Sequence, residues 1–400
     1  MANYSSLGAI ETNVESPAVE FGTVHVESLS MTSAKLTVLA IKATPVVVPL
    51  RRSVYAATGS IPRAPLVLVD LETCEGVTGC AYVMAYSMMA YSMMALRPLT
   101  QIIDSMTEFL EGDPVSPYEI EAKLRKHLVL VGATGLTGIG LAAIDMCAWD
   151  AAAKAANLPL VRLLGGRVKA VRAYNSCGLW MMPIENLADE AEELLAEGGY
   201  QAVKLRVGRD TLADDLSAVR SVKKRIGDDV LLMADFNQKL TVNEAIARGR
   251  ALDNEGLYWI EEPIRHDDYL GYARVSAEVQ TPIQSGENLQ STYEMLTALT
   301  ARAVDYIMPD VQRIGGVTGW LRAAAIAQAY GIEMSSHLFP EYSAHLLAVT
   351  PTCHYLEYMD WSTPIIAEPI EIREGHAVIS DRPGAGIEWD RNAVERYTLK

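Results

Sequence analysis

The sequence predicts an α/β chain: a (β/α) barrel preceded by a smaller α+β unit. Three observations predict it. From Val171 onward eight short apolar runs recur, most of them separated by a helix's length of chain, the rhythm of a barrel in which each strand is followed by a helix. Polar and charged residues stand at the C-terminal ends of those runs, where a barrel carries its active site. Ahead of them, two strand-like runs precede three helical patterns, the segregated order of an α+β unit. An open doubly wound sheet is the rival, but no G-x-G-x-x-G follows the first run to support it.

Composition narrows the function classes. The 400 residues are 50% hydrophobic and 21% charged, which allows a large core and excludes global disorder. Fifty acidic residues against 34 basic ones give a net charge of −16. That field repels phosphate backbones and no Lys/Arg run overrides it, so no nucleic-acid partner is expected. The five cysteines, odd in number and without C-x-x-C, read as reduced thiols in a cytoplasmic protein. The acidic N-terminus lacks the basic start and apolar stretch of a signal peptide. Leu128–Ile144 is uncharged and nearly long enough to cross a bilayer. However, Gly132, Gly135, Gly138 and Gly140 make it a loop running into a helix, and no membrane association is expected.

In chain order, residues 1–33 are polar and read as a flexible extension. Residues 34–160 form the α+β unit. It opens with strand-like runs Leu36–Ile41 and Pro65–Leu71, between which Arg51–Arg63 looks like a loop. Helical patterns follow over Met93–Leu110, Pro117–Leu128 and Leu141–Ala156. A tandem repeat of Ala-Tyr-Ser-Met-Met (85–89 and 90–94) reads as a small duplication at a loop–helix junction, too short for a solenoid. Residues 161–364 hold the barrel runs: Val171–Cys177, Ala202–Val207, Leu231–Phe236, Tyr258–Glu261, Ile283–Gly286, Tyr306–Met308, Glu333–Ser336 and His354–Glu357.

The strand ends carry Ser176, Lys204 with Arg206, Asp235 with Asn237, Glu261, Glu287, Asp310, His337 and Glu357. Three successive ends bear a carboxylate: Asp235, Glu261 and Glu287. Adjacent strands lie about 5 Å apart, so these side chains can converge, and three like charges need a cation between them. An all-oxygen set with positions left for water or substrate favours Mg²⁺. Taken singly, each would more often be an ordinary strand-end salt bridge. Lys204 and Arg206 point to one face and, inside a barrel, require anionic partners. His337 has Asp310 on the neighbouring strand to fix its tautomer, as a general base needs. The other six histidines read as structural. Together these groups suit removal of a proton α to a carboxylate, which builds two negative charges on an enediolate. A Lys or His base assisted by Mg²⁺ is a known solution to that step.

From about Lys35 onward the sequence resembles the mandelate racemase subgroup of the enolase superfamily. The resemblance rests on Val-Lys-Leu-Arg-Val-Gly (203–208), Ala-Asp-Phe-Asn-Gln (234–238), Trp-Ile-Glu-Glu-Pro (259–263) and Ser-Gly-Glu-Asn (285–288). It extends through residues 308–320 and Ser-Ser-His-Leu-Phe-Pro-Glu (335–341). It implies a modified TIM barrel, (β/α)₇β, capped by an α+β domain that residues 365–400 complete. It implies Asp235, Glu261 and Glu287 as Mg²⁺ ligands and His337 with Asp310 as the base dyad. Lys204 would neutralise the substrate carboxylate and Glu357 would donate a hydrogen bond to the enediolate. Asn237, Ser176 and Tyr86 would contact a small 2-hydroxy acid under a lid formed by Arg51–Arg63. The resemblance also implies a homo-oligomer, commonly an octamer.

One position departs from the pattern. Mandelate racemases carry Lys-x-Lys on the second strand, the second lysine being the base on the opposite face; here that position is Arg206. A lysine near pKa 10.4 can be tuned to lose its proton, whereas arginine above 12 keeps it. With one base, dehydration of an acid sugar or similar polar hydroxy acid is favoured, and the three arginines of the lid region point the same way. Racemisation or epimerisation is the alternative, and a family member retained for binding or structure is the third reading. Muconate-type cycloisomerisation, with a lysine in place of the dyad, is disfavoured by Asp310 and His337.

Overall fold

An antiparallel sheet of three strands opens the fold: β1 (Val38–Ala56), β2 (Gly59–Thr73) and β3 (Thr78–Met84). This computed structural model describes residues 36–56, 59–84 and 94–399; the expected extension, the tandem repeat and Tyr86 lie outside them. The Arg51–Arg63 segment differs from the expected loop. β1 and β2 continue through it as a hairpin, with Val54 opposite Ile61 and Ala56 opposite Gly59 after an irregularity at Pro49. The physical reason is that Val54 and Ile61 are both fully buried, so an apolar pair anchors a segment whose flanking arginines read as loop. β3 was not foreseen, because its Gly-Cys-Ala core lacks the β-branched signature of a strand.

Behind the sheet lie α1 (Leu96–Ser105), α2 (Thr107–Leu110), α3 (Pro117–His127), α4 (Gly135–Ala155) and the short α5 (Leu160–Leu163). The tail of the chain then divides. Strands β12 (Glu371–Arg373) and β13 (His376–Val378) add antiparallel to the barrel at its first strand. The final helix, residues 391–397, instead returns to the three-stranded sheet, where Leu399 N donates to Pro45 O.

The barrel strands are β4 (Ala170–Asn175), β5 (Ala202–Arg206), β6 (Leu231–Asp235), β7 (Leu257–Glu261), β8 (Ile283–Ser285), β9 (Tyr306–Ile307), β10 (Glu333–Met334) and β11 (Leu356–Tyr358). All pair in parallel, each with its neighbour in sequence. β11 returns to β4, and a Met334–Cys353 bridge closes the ring. The eight runs read from sequence coincide with these strands. Helices between them include α6 (Ile184–Ala196), α7 (Leu212–Ile226), α8 (Val242–Leu252), α9 (Tyr269–Glu278), α10 (Thr292–Thr300), α11 (Val311–Ile314), α12 (Gly316–Tyr330) and α13 (Pro340–Val349). Local chemistry sets their ends. Thr241 and Glu244 make a reciprocal capping box at α8, and α7 ends in Lys223, Lys224 and Arg225 before Gly227.

Helix α4 is long and apolar enough to cross a bilayer, yet most of it is packed inside the fold. Its two buried acids are fasteners. Asp150 accepts from Cys80 N on β3 and from Ala385 N near the C-terminus. Asp145 accepts from Thr318 N and Thr318 Oγ1, tying α4 to α12. Burial pushes Asp145 from 3.8 up to about 7, against the pull of the Thr318 bonds. Over that pH interval the folded chain holds a proton that the unfolded chain releases. The stability contributed by this group is therefore complete below 3.8 and is lost as pH rises to about 7. In Asp145→Asn, urea unfolding followed from pH 4 to 7 is expected to show a shallower fall than wild type. An unchanged pH slope would remove Asp145 as its source.

Candidate active site

The C-terminal ends of the barrel strands open into a cavity beneath the β1–β2 hairpin. Its floor and sides include Lys204, Arg206, Asp235, Asn237, Glu287, His337 and Glu357. Facing them are Val54 and Ile61 from the hairpin, with Trp180, Leu338, Met359 and Trp361. Parallel register places Arg206, Asp235 and Glu261 level on three adjoining strands. Glu287 lies two residues past β8, delivered by Gly286 at φ +138°. A Cβ there would sit 3.0 Å from Met308 N, so glycine is required for the turn.

Lys204 is the centre of charge. Its ammonium lies 2.5 Å from Glu261 Oε1, 2.8 Å from Glu357 Oε1 and 3.4 Å from Asp235 Oδ2, and is fully buried. Burial acts to lower its pKa, but those three carboxylates outweigh it and raise it, so the side chain stays charged. Glu261 is pushed up to about 7 by burial, with Lys204 pulling down while Asp235, Glu357 and Glu287 push further up. Burial also acts to raise Glu357, but Lys204, His337 and Arg206 prevail and hold it below the ordinary range. Glu357 is therefore an acceptor here, taking bonds from Ser176 Oγ at 2.8 Å and Leu338 N at 3.1 Å. The donor role expected for it needs a proton that these neighbours disfavour.

The His–Asp pair is formed. His337 Nδ1 donates to Asp310 Oδ2 at 2.7 Å, while Asp310 Oδ1 accepts from Gln312 N and Arg313 N at the start of α11. With Nδ1 so engaged, Nε2 faces Glu287 Oε2 at 3.4 Å and Glu357 Oε2 at 3.8 Å. Burial acts to lower the imidazole pKa, but Glu287, Asp310 and Glu357 push it up to about 10. Directly after the base, Leu338 and Phe339 adopt φ near +50°. This uncommon backbone for branched and aromatic residues is one that a surrounding framework must hold.

Among the described residues, no three His, Cys, Asp or Glu side chains already form an open ion cage. Lys204 stands between Asp235 and Glu261 instead. The donor set nevertheless fits a hard divalent cation. It is all oxygen, Asp235 and Glu261 are buried, and burial raises Glu261 with the neighbouring carboxylates pushing it further up, a mark of missing positive charge. Ser176 lies fully buried behind the cavity wall, receiving Arg206 Nη2 at 3.0 Å and donating to Glu357. It links those two residues. Glu262 was missed in the sequence although it sits inside the Glu-Glu-Pro string. It is buried at φ +38° and bonded to Asn288 and Gln238. Burial and then Glu287 raise it well above its ordinary value. Trp180, stacked on Arg206, carried no sequence signal.

The lid arginines differ from expectation. Arg52 reaches Glu197 at 2.8 Å and Glu190 at 3.4 Å on and beside α6, Arg51 also meets Glu197, and Arg63 is exposed. Arg51 and Arg52 spend their charge on those acids, none of the three arginines lines the cavity, and the hairpin residues described there, Val54 and Ile61, are apolar. The argument from lid charge to a polar substrate is thereby overturned.

A capped (β/α) barrel with buried carboxylates around a lysine and a His–Asp pair defines an enzyme of the enolase superfamily. The chain belongs to the mandelate racemase/muconate lactonizing enzyme family: residues 37–165 match that family's N-terminal domain, and 186–393 match the enolase C-terminal domain-like model. An enolase from the alphaproteobacterium bal199 with bound Mg is 44% identical, covering 91% of this chain and 100% of that one at a TM-score of 0.88. An enolase from Bradyrhizobium complexed with magnesium and mandelic acid is 36% identical over 92% of this chain and 99% of that one, TM-score 0.87. L-talarate/galactarate dehydratase of Salmonella typhimurium is 31% identical over 83% of this chain and 82% of its own length.

Because Glu190 Oε2 also accepts from Leu179 N at 2.7 Å, the acids beside α6 hold both the hairpin and the loop bearing Trp180. The double variant Glu190→Gln, Glu197→Gln is expected to cost at most about 1 kcal/mol in urea unfolding, as partly exposed pairs do. Trypsin cleavage after Arg51 and Arg52 should accelerate severalfold. Equal cleavage rates would show that the pairs do not hold the hairpin.

Proposed function

We propose that the protein is a Mg²⁺-dependent dehydratase of 2-hydroxy carboxylates, in which His337 removes the α-proton and a β-hydroxyl then leaves. The observation that carries this reading is the asymmetry of the two cations across the mouth: His337, oriented by Asp310 at 2.7 Å, and Arg206 on β5 where a second base would stand. Asp235, Glu261 and Glu287 would hold the ion. Bound there, Mg²⁺ supplies positive charge to the substrate carboxylate and so lowers the cost of ionising the α-carbon.

The chain's own residues do the rest. Asp310 keeps the proton on Nδ1, leaving Nε2 as the only nitrogen able to take one. Lys204, charged under all ordinary conditions, exchanges a protein carboxylate for that of the substrate and balances the growing enediolate. As the electron pair moves toward the β-carbon, the C–O bond breaks. The departing hydroxide takes the proton held on Nε2 and leaves as water. The enol that remains tautomerises to a 2-keto acid. Arg206, a guanidinium in the place of the second lysine, binds the substrate and removes no proton from it.

Racemisation is the second reading. Two observations favour it: the apolar wall formed by Val54, Ile61, Leu338 and Met359, and the bound mandelic acid of the Bradyrhizobium relative. An aryl hydroxy acid without a β-hydroxyl cannot dehydrate, and would need Arg206 to return a proton.

The discriminating test incubates the Mg²⁺-loaded protein with acid sugars and aryl hydroxy acids in D₂O, following keto-acid formation, α-deuteration and optical rotation. Keto acid from a sugar acid supports dehydration; loss of rotation without keto acid overturns it. His337→Asn is expected to reduce α-exchange by about 10²–10⁴-fold while the rise in melting temperature on adding Mg²⁺ persists. Persistent exchange would remove His337 as the base. Stripping with EDTA should abolish turnover and Mg²⁺ restore it; turnover by the stripped protein would sink the metal's role.

A further inference from the structure

The two oxygens of Glu261 stand in different company. Oε1 lies 2.5 Å from Lys204 Nζ, and Asp235 Oδ2 lies 3.4 Å from the same nitrogen. Oε2 is engaged by other donors: Trp259 Nε1 donates to it at 3.0 Å and Gln284 Nε2 at 3.4 Å. Lys204, Glu261, Trp259 and Gln284 are all buried. A carboxylate oxygen offers about two lone-pair positions. These two N–H groups therefore fill Oε2 and leave Oε1 as the oxygen that faces a cation.

Local structure places both donors. Trp259 precedes Glu261 by two residues on β7, so the two side chains leave the strand on the same face. Gln284 on β8 is the register partner of Glu261. The indole is fixed by an aromatic layer inside the barrel. Tyr174 of β4 packs edge-on at 5.4 Å between ring centres, and Tyr355 does so at 6.1 Å. The amide orientation of Gln284 follows from the carboxylate, which only accepts. Nε2 must face it, and Gln284 Oε1 is left without a partner. A phenylalanine at 259 would help fill the layer but would bring no N–H to Glu261.

The other two acids are less closed. Asp235 accepts from Asn237 N on Oδ1 and from Asn237 Nδ2 on Oδ2, and Glu287 accepts from Asn288 Nδ2 on Oε1. An acid with one open oxygen can serve only as a single-point ligand, and divalent ions differ in what they ask of a carboxylate. Mg²⁺ demands near-octahedral geometry and keeps several waters, and the two oxygens of one carboxylate subtend too small an angle for that geometry. Ca²⁺ takes roughly six to eight oxygens in a flexible arrangement and readily uses both oxygens of one carboxylate.

We propose that Trp259, aided by Gln284, is a positioning residue that holds Glu261 as a one-oxygen metal ligand and thereby sets a preference for Mg²⁺ over Ca²⁺. The proposal rests on the reading of Asp235, Glu261 and Glu287 as the residues that hold the ion, and it names what tunes them. Groups that orient a metal's ligands typically change its affinity about 10–100-fold when removed. Trp259→Phe keeps a ring in the aromatic layer and deletes the N–H. Freed of that donor, Oε2 can join Oε1 on a larger ion.

The test titrates the full-length, metal-stripped protein with MgCl₂ and with CaCl₂ in a calorimeter, with no substrate present. Wild type is expected to bind Mg²⁺ roughly tenfold or more tightly than Ca²⁺. In Trp259→Phe that ratio should fall about fivefold or more, with Mg²⁺ weakened about tenfold and Ca²⁺ weakened less. Gln284→Leu should narrow the ratio in the same direction, and it serves if Trp259→Phe does not fold. Tyr355→Leu disturbs the same aromatic layer and leaves both donors to Glu261 in place. It is expected to lower the melting temperature with the ratio unchanged; an equal fall in the ratio there would reduce Trp259 to packing and overturn the proposal. Equal affinity for the two ions in wild type, or an unaltered ratio in both Trp259→Phe and Gln284→Leu, overturns it too and leaves the metal reading standing. Binding of neither ion by wild type overturns the metal reading and the proposal with it.

Discussion

A single ammonium group among carboxylates is the interaction on which the site depends. Lys204 is buried with Glu261, Glu357 and Asp235 around it. Removing either side of such an arrangement leaves an uncompensated buried charge, a far larger penalty than the pair's net worth. Glu261 remains raised even with this lysine against it, so one cation does not meet the demand of the acids. The barrel mouth is an anionic well built for more positive charge than the chain provides. On the proposed reading, that shortage would draw in a divalent ion and free Lys204 to meet the substrate carboxylate.

The imidazole shows the same electrostatics from the other side. Glu287 and Glu357 near Nε2, with Asp310 on Nδ1, hold His337 at about 10, against burial. A group so strongly protonated is a poor acceptor of an α-proton. On the proposed reading, an ion held by Glu287 would weaken that hold, so the same acids would also govern when His337 can accept a proton. Across the mouth, the Arg206 guanidinium is packed against Trp180 and bonded to Ser176, contacts that fix its position.

Much of this was legible in the sequence because strand ends are where a barrel converts order into position. The eight runs, the acids that terminate three of them and the His337–Asp310 pairing all follow from period and spacing. What was not legible depends on which way a side chain turns. Arg51, Arg52 and Arg63 read as a cationic lid, but Val54 and Ile61 are the hairpin residues that line the cavity, Arg51 and Arg52 meet acids over a hundred residues away at Glu190 and Glu197, and Arg63 is exposed. Ser176 stands at a strand end yet lies beneath Arg206. Glu262, adjacent to an expected ligand, enters the charge network only because the backbone reaches φ +38°.

The two walls of the cavity divide the work of recognition. The barrel floor is charged and polar, and on the proposed reading it would address the carboxylate and the carbon beside it, features that every 2-hydroxy acid shares. The hairpin face is apolar, and closing it excludes water, which strengthens each electrostatic interaction below it. At the boundary between these walls Met181 N donates to Tyr55 O of the hairpin while Trp180 stacks on Arg206 of the floor, so the two walls are joined there. Hydrogen-bonding sites discriminate far more sharply than apolar ones, because a wrong ligand leaves buried donors unpaired. Among the described residues the hairpin offers the cavity only the branched apolar side chains of Val54 and Ile61, a surface that tolerates many substituents and so discriminates weakly.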